Sequence, residues 1–235
     1  MKTYTHLVFD IDGTIIDSAR INMLSLQETV RELRGEVMPL EDLYFSFGIP
    51  GIRAMEILGF SQPAEALKVW IRNYTAYSER LGMPLFPGMR EILEQLRKRG
   101  ASLGIITSKL REEYDDHFGK QGLLELFPCV VTASDTPKGK PYPDPMLEYL
   151  KRSGAAPEEV LYFGDTAYDM DCARAAGVDH ALVLWGCLNP EGIEATYRLE
   201  QVEDVLQFAG QTARRHSGSW RGGRDRTERK RRSRS

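Results

Sequence analysis

Five short apolar runs, at residues 5–9, 102–106, 130–131, 160–163 and 181–185, show no alternation of apolar and polar side chains. A strand wetted on one face alternates, whereas a strand covered on both faces does not, and double cover is the mark of a parallel sheet walled by helices. Helical patterns separate the runs. Met89, Ile92, Leu93 and Leu96 recur at helical spacing ahead of Gly100, a natural helix stop. Met146, Leu147 and Leu150 repeat the pattern, and a third, alanine-rich helix spans 168–177. Strands alternating with helices predict an α/β fold built on a doubly wound parallel sheet.

One stretch breaks the alternation. Between residues 18 and 84 no strand is evident. Met23, Leu26, Val30 and Leu33 fit one amphipathic helix, and Leu67, Trp70, Ile71, Tyr74 and Leu81 fit a longer one. An insert of this length exceeds an ordinary loop and reads as a small all-α cap domain placed after the first strand. Trp70, Tyr74 and Tyr77 read as the core of that unit. The domain plan is therefore an α/β core at 1–17 and 85–209, a helical cap at 18–84, and a disordered basic tail at 210–235.

Charge follows the same division. Residues 214–235 hold ten Lys/Arg against two acids, whereas the rest of the chain holds 21 Lys/Arg against 32 Asp/Glu. The tail could bind nucleic acid or an acidic surface by charge, but only Trp220 offers stacking, and the expectation is no folded nucleic-acid-binding module. No apolar run reaches the roughly 20 residues of a spanning helix, so no membrane partner is expected. The N-terminal segment carries two aspartates where a signal peptide would need an apolar run, which predicts a cytoplasmic protein. Cys129, Cys172 and Cys187 are too widely spaced for a metal knuckle and read as buried free thiols.

Parallel sheets deliver chemistry at the carboxyl ends of their strands. Here those ends read Asp10-Ile-Asp12-Gly-Thr14, Thr107-Ser108 and Gly164-Asp165-Thr166-Ala-Tyr-Asp169. On an extended backbone Asp10 and Asp12 point to the same side, and crowded carboxylates favour a divalent cation with oxygen ligands, Mg²⁺ rather than zinc. Each motif has a plainer reading of its own: Asp12-Gly13 is also a common turn, and Asp165-Thr166 also caps helices.

Taken together with Lys140-Pro-x-Pro-Asp-Pro145, the motifs resemble the haloacid dehalogenase-like hydrolases, in that family's order and over about residues 5–190. The overall layout resembles the phosphoglycolate phosphatase and pyrophosphatase group, whose members carry an α-helical cap. The resemblance implies that Asp10 is a nucleophile forming an aspartyl phosphate and that Asp12 is the general acid and base. It implies Mg²⁺ held by the Asp10 carboxylate, the Asp12 backbone carbonyl and Asp165. Thr107, Ser108 and Lys140 would bind the substrate phosphate, although Lys138 competes with Lys140 for the inward position. Asp169 would stand behind the metal or Lys140. Asp12 also argues against C–Cl hydrolysis, since the dehalogenating members lack an aspartate there.

A cap over the site admits small substrates, and a small phosphorylated metabolite is the expected partner. The leading substrate is 2-phosphoglycolate, with sugar phosphomutase and inorganic pyrophosphatase as alternative activities. Selectivity is expected from the cap loop between Phe47 and Arg53. Arg53 either grips a substrate carboxylate through a bidentate pair or is an exposed arginine at a helix start.

Overall fold

The computed structural model describes residues 2–210. Six parallel strands form one sheet in the order β3-β2-β1-β4-β5-β6. They are β1 (His6–Phe9), β2 (Ser102–Ile106), β3 (Cys129–Val131), β4 (Val160–Gly164), β5 (Asp179–Val183) and β6 (Tyr197–Leu199). The helices are α1 (Ala19–Arg34), α2 (Gly51–Ile57), α3 (Pro63–Leu81), α4 (Met89–Lys98), the single turn α5 (Arg111–Glu113), α6 (Asp144–Ser153) and α7 (Ala167–Ala175).

Alternate strand residues feed two separate cores, which explains why the strands read as unbroken apolar runs. Leu7, Phe9, Leu103, Ile105, Leu161 and Phe163 face a core closed by α4 and the segment Val202–Phe208. Val8, Ile106, Val160 and Tyr162 face the other, closed by Met146 and Tyr149 of α6 and Cys172 and Ala173 of α7. Gly104 of β2 leaves room for the Tyr149 ring, which a Cβ there would overlap.

Two features depart from the sequence reading. β5 begins at Asp179 and ends at Val183, and Trp185 has already left the sheet to donate its indole N–H to the Thr14 carbonyl at 3.0 Å. β6 is a sixth strand of three residues, too short to carry a period, and it gains its place only by pairing with β5. The cysteines are free thiols, of which Cys172 is fully buried and Cys129 and Cys187 are partly so.

Between β1 and α4 the chain builds α1, a 3₁₀ turn at Glu41–Ser46, α2 and α3 around a third core that includes Met23, Leu26, Phe47, Met55 and Trp70. α1 and α3 are joined by polar contacts as well. The Trp70 indole donates to Ser25 Oγ at 3.0 Å, and the Asn73 carboxamide donates to Thr29 Oγ1 at 3.1 Å. The chain leaves and re-enters the sheet layer at one point. Asp17 N–H donates to the Pro84 carbonyl at 2.9 Å, Phe86 N–H to the Ile15 carbonyl at 3.1 Å, and Ile16 bridges to Leu85. Pro50 supplies the start of α2, and Ala54 and Met55 bury its inner face. No helix among the described residues is long and apolar enough to cross a membrane. Apart from Gly210, the expected basic tail lies outside the described residues.

Candidate active site

β1 lies between β2 and β4, so the carboxyl ends of all three open into one crevice. Asp10 follows β1, with its N–H bonded to the Phe163 carbonyl at 2.9 Å. Thr107 follows β2 and Asp165 follows β4. α7 contributes Asp169, and the loop before α6 contributes Lys140. All five are buried.

The Lys140 ammonium sits 3.1 Å from Asp10 Oδ1 and 2.6 Å from Asp169 Oδ1. Lys138, its rival in the sequence, is exposed and lies over the Tyr142 ring. Oxygens of Asp10, Asp165 and Asp169 all lie within 4.8 Å of one another. With all three carboxylates ionised, one ammonium would leave two negative charges without balance in a buried site. Burial pushes Asp10 from its ordinary 3.8 up to about 7, against the pull of Lys140 and with added push from Asp169 and Asp12. Burial, followed by Asp169 and Asp10, raises Asp165 well above the usual range. Burial also works against the charge on Lys140, but Asp10 and Asp169 outweigh it and hold the ammonium charged.

One divalent cation would balance the cluster, and the donor set fits it. Asp165 Oδ2 is buried without a hydrogen-bond partner, while its Oδ1 accepts from Thr14 Oγ1 at 3.3 Å. A native protein rarely leaves such an oxygen orphaned, because the lost hydration is not recovered. Asp169 has no comparable opening. Its Oδ1 accepts from Lys140 and, at 2.9 Å, from Tyr162, and its Oδ2 from the Thr166 hydroxyl and N–H. Asp10 and Asp165 therefore suit direct ligation by oxygen, and Asp169 stands behind Lys140.

Gly13 shapes the floor. Its φ is +74°, and a Cβ there would run into the Asp165 carboxylate and the Phe47 ring. Gly13→Ala is expected to lower turnover at least about tenfold and stability by roughly 1–3 kcal/mol, from left-handed backbone strain plus the clash. Parallel thermal melts and rate assays check it; a variant with native rates would mean that the floor yields freely.

Asp12 departs from expectation. Its carboxylate stands outside the Asp10–Asp165–Asp169 cluster, although Asp10 and Asp12 line the same cavity. It instead accepts from Ser18 Oγ at 2.7 Å, pairs with the Lys109 ammonium at 2.9 Å, and receives the Tyr74 hydroxyl from α3 at 3.4 Å. Lys109 is absent from the sequence reading, and Tyr74 is read there only as core of the helical unit, whereas its hydroxyl reaches the cavity. Lys109 closes the run Thr107-Ser108-Lys109 directly after β2, and that position at a strand end was the signal available. For Tyr74 the helical period indicated only a buried face, since its hydroxyl meets Asp12 through packing of the helical unit. Burial opposes the charge on Lys109, and Asp12 and Tyr74 outweigh it.

Thr107 and Ser108 line the cavity as expected. Thr107 Oγ1 accepts the Lys109 N–H at 3.2 Å, and Ser108 Oγ donates to the Gly48 carbonyl of the helical unit at 3.2 Å. Arg53 is not part of the lining. Its side chain is 63 % exposed and pairs with Glu56 one helical turn along α2 at 2.8 Å, so it takes the exposed helix-start position. The cavity, of about 170 Å³, lies between the sheet ends and the helical unit, with Asp10, Asp12, Thr107 and Ser108 at its base.

A family model described as haloacid dehalogenase-like hydrolase matches residues 7–183. The chain belongs to the haloacid dehalogenase-like hydrolases. Within that family it is a phosphatase. Pyrophosphatase PpaX of Bacillus velezensis is 30% identical over 89% of this chain and 98% of its own. A phosphoglycolate phosphatase of Aquifex aeolicus is 29% identical over 86% of this chain and 95% of its own. Among solved structures, a protein from Lactobacillus plantarum superposes with a TM-score of 0.80 at 29% identity, covering 88% of this chain and 99% of that one. A hydrolase from Pseudomonas syringae gives 0.76 at 26% identity, with 87% and 96% covered.

Proposed function

We propose that this phosphatase cleaves small phosphomonoesters through an aspartyl phosphate on Asp10, with Mg²⁺ as its cation. The observation that carries the reading is the orphaned Asp165 oxygen within reach of a buried aspartate–lysine pair at the end of β1. Asp10, the Asp12 carbonyl and Asp165 would hold the ion, which when bound offsets the repulsion between an anionic nucleophile and an anionic phosphate.

The remaining chemistry belongs to the chain. An Asp10 oxygen attacks phosphorus, the new O–P bond forms, and the ester P–O bond breaks. Asp12 gives its proton to the departing alkoxide. It then takes a proton from the water that attacks the aspartyl phosphate, which releases inorganic phosphate and restores Asp10. The Ser18 and Lys109 contacts hold the Asp12 carboxylate ionised and in place for the proton it takes from water. Lys140 places positive charge beside Asp10 and the phosphoryl oxygens, and Thr107 with Ser108 supplies hydroxyl and N–H donors to them.

Relatives named phosphoglycolate phosphatase and pyrophosphatase make 2-phosphoglycolate and pyrophosphate the first compounds to assay. Phosphate release from a panel of small esters is expected with Mg²⁺, to fall at least about 100-fold in chelator, and to return on adding Mg²⁺. A single turnover with phosphorus-labelled ester, quenched in acid, is expected to leave the label on Asp10. Metal-independent turnover, or label on another residue, would overturn the reading.

A further inference from the structure

Away from its phosphate end, the cavity is walled by hydrocarbon. Ile52 of α2, Leu67, Trp70 and Ile71 of α3, and Leu110 of the loop after β2 converge there. Three of these large apolar side chains stand partly in water: Ile52 is 38 % exposed, Ile71 36 % and Leu110 45 %. They come from separate segments and belong to none of the three cores, so packing within the fold does not explain their meeting. The indole N–H of Trp70 is directed to Ser25 Oγ, which leaves only the ring carbons for the cavity.

The charges point the same way. Among the described lining residues the cation is Lys109, which is ion-paired with Asp12. Glu113, whose carboxylate accepts the Leu110 N–H at 2.7 Å, adds a negative charge to that wall. Arg53 follows Ile52 in sequence but turns outward to Glu56. A carboxylate or a second phosphoryl group on the leaving side would give up water for hydrocarbon and an anion.

We infer that the alcohol released by this phosphatase is uncharged and largely hydrocarbon, as in an alkyl monophosphate, and that Ile52, Ile71 and Leu110 seat it. The inference rests on the reading of Asp10 as a phosphatase nucleophile and narrows it to a substrate class. An apolar alcohol covers the three exposed side chains and brings no second anion against the Glu113 carboxylate.

The test compares kcat/KM, with Mg²⁺, for ethyl, butyl and hexyl phosphate, 2-phosphoglycolate and pyrophosphate. The alkyl alcohols are nearly equal as leaving groups, so chain length reports contact with the wall. kcat/KM is expected to rise about tenfold or more from ethyl to hexyl phosphate, and hexyl phosphate to exceed both anionic compounds by about tenfold. Ile71→Asp, at a partly exposed site, is expected to reduce the hexyl-to-ethyl ratio at least about fivefold, and Ile71→Leu to preserve it. A flat alkyl series, or a preference for 2-phosphoglycolate or pyrophosphate, overturns the apolar assignment while ester hydrolysis at Asp10 stands. A chain that hydrolyses none of the five overturns the phosphatase reading and this inference with it.

Discussion

Asp10→Asn is expected to lower turnover at least about 10³-fold, because an amide of nearly the same shape has no anionic oxygen with which to attack phosphorus. The variant is also expected to fold. Asp10 is buried, and its carboxyl is pushed from 3.8 up to about 7, so the folded state resists its ionisation. The sign follows from linkage. An acid whose folded pKa lies above its unfolded value takes stability away as pH climbs from about 4 to about 7, and the whole cost is present above that window. In chelator at pH 8, Asp10→Asn is thus expected to melt no lower than the parent chain, and at pH 4 the two should converge from that side. Kinetics with thermal melts at both pH values separate lost chemistry from lost folding. A variant with parental rates would remove Asp10 as the nucleophile.

Lys140→Met is expected to damage both rate and stability. The ammonium is 1 % exposed and answers two buried carboxylates at 3.1 and 2.6 Å. Methionine keeps most of the length and none of the charge, which leaves Asp10, Asp165 and Asp169 facing one another. Breaking a buried ion pair from one side costs roughly 3–5 kcal/mol. Removing a charge aimed at the phosphoryl oxygens lowers turnover by about 10²–10³. The metal-free protein should suffer most, since a bound cation supplies the missing positive charge. Melting curves with Mg²⁺ and with chelator measure that difference. If the variant melts like the parent in chelator, the carboxylates are not relying on Lys140.

The sheet was legible because its strands are covered twice and its helices keep strict periods between glycine stops. The centre of the site was legible for a related reason. Asp10, Thr107 and Asp165 each stand directly after a strand, and β1 between β2 and β4 gathers them without help from loops. Lys140 followed from its proline-rich frame. What escaped notice lies where extended geometry ends or where distant segments meet. The Asp12 carboxylate pairs with Lys109, a partner that the spacing of Asp10 and Asp12 does not announce. Tyr74 reaches Asp12 across 62 positions, through a packing arrangement that no local period encodes. Arg53 had two readings open, and its place on α2 beside Glu56, one turn away, matches the exposed helix-start one. β6 is three residues long and exists as a strand only because β5 offers an open edge.

The paired backbone contacts from 15–17 to 84–86 have a further consequence. With both ends of the insert fastened side by side, the 65 or so intervening residues hang from the catalytic layer like a module on a single socket. Such a module can be lengthened, shortened or exchanged without moving Asp10, so the walls of the cavity can change while the cluster at the strand ends stays as it is.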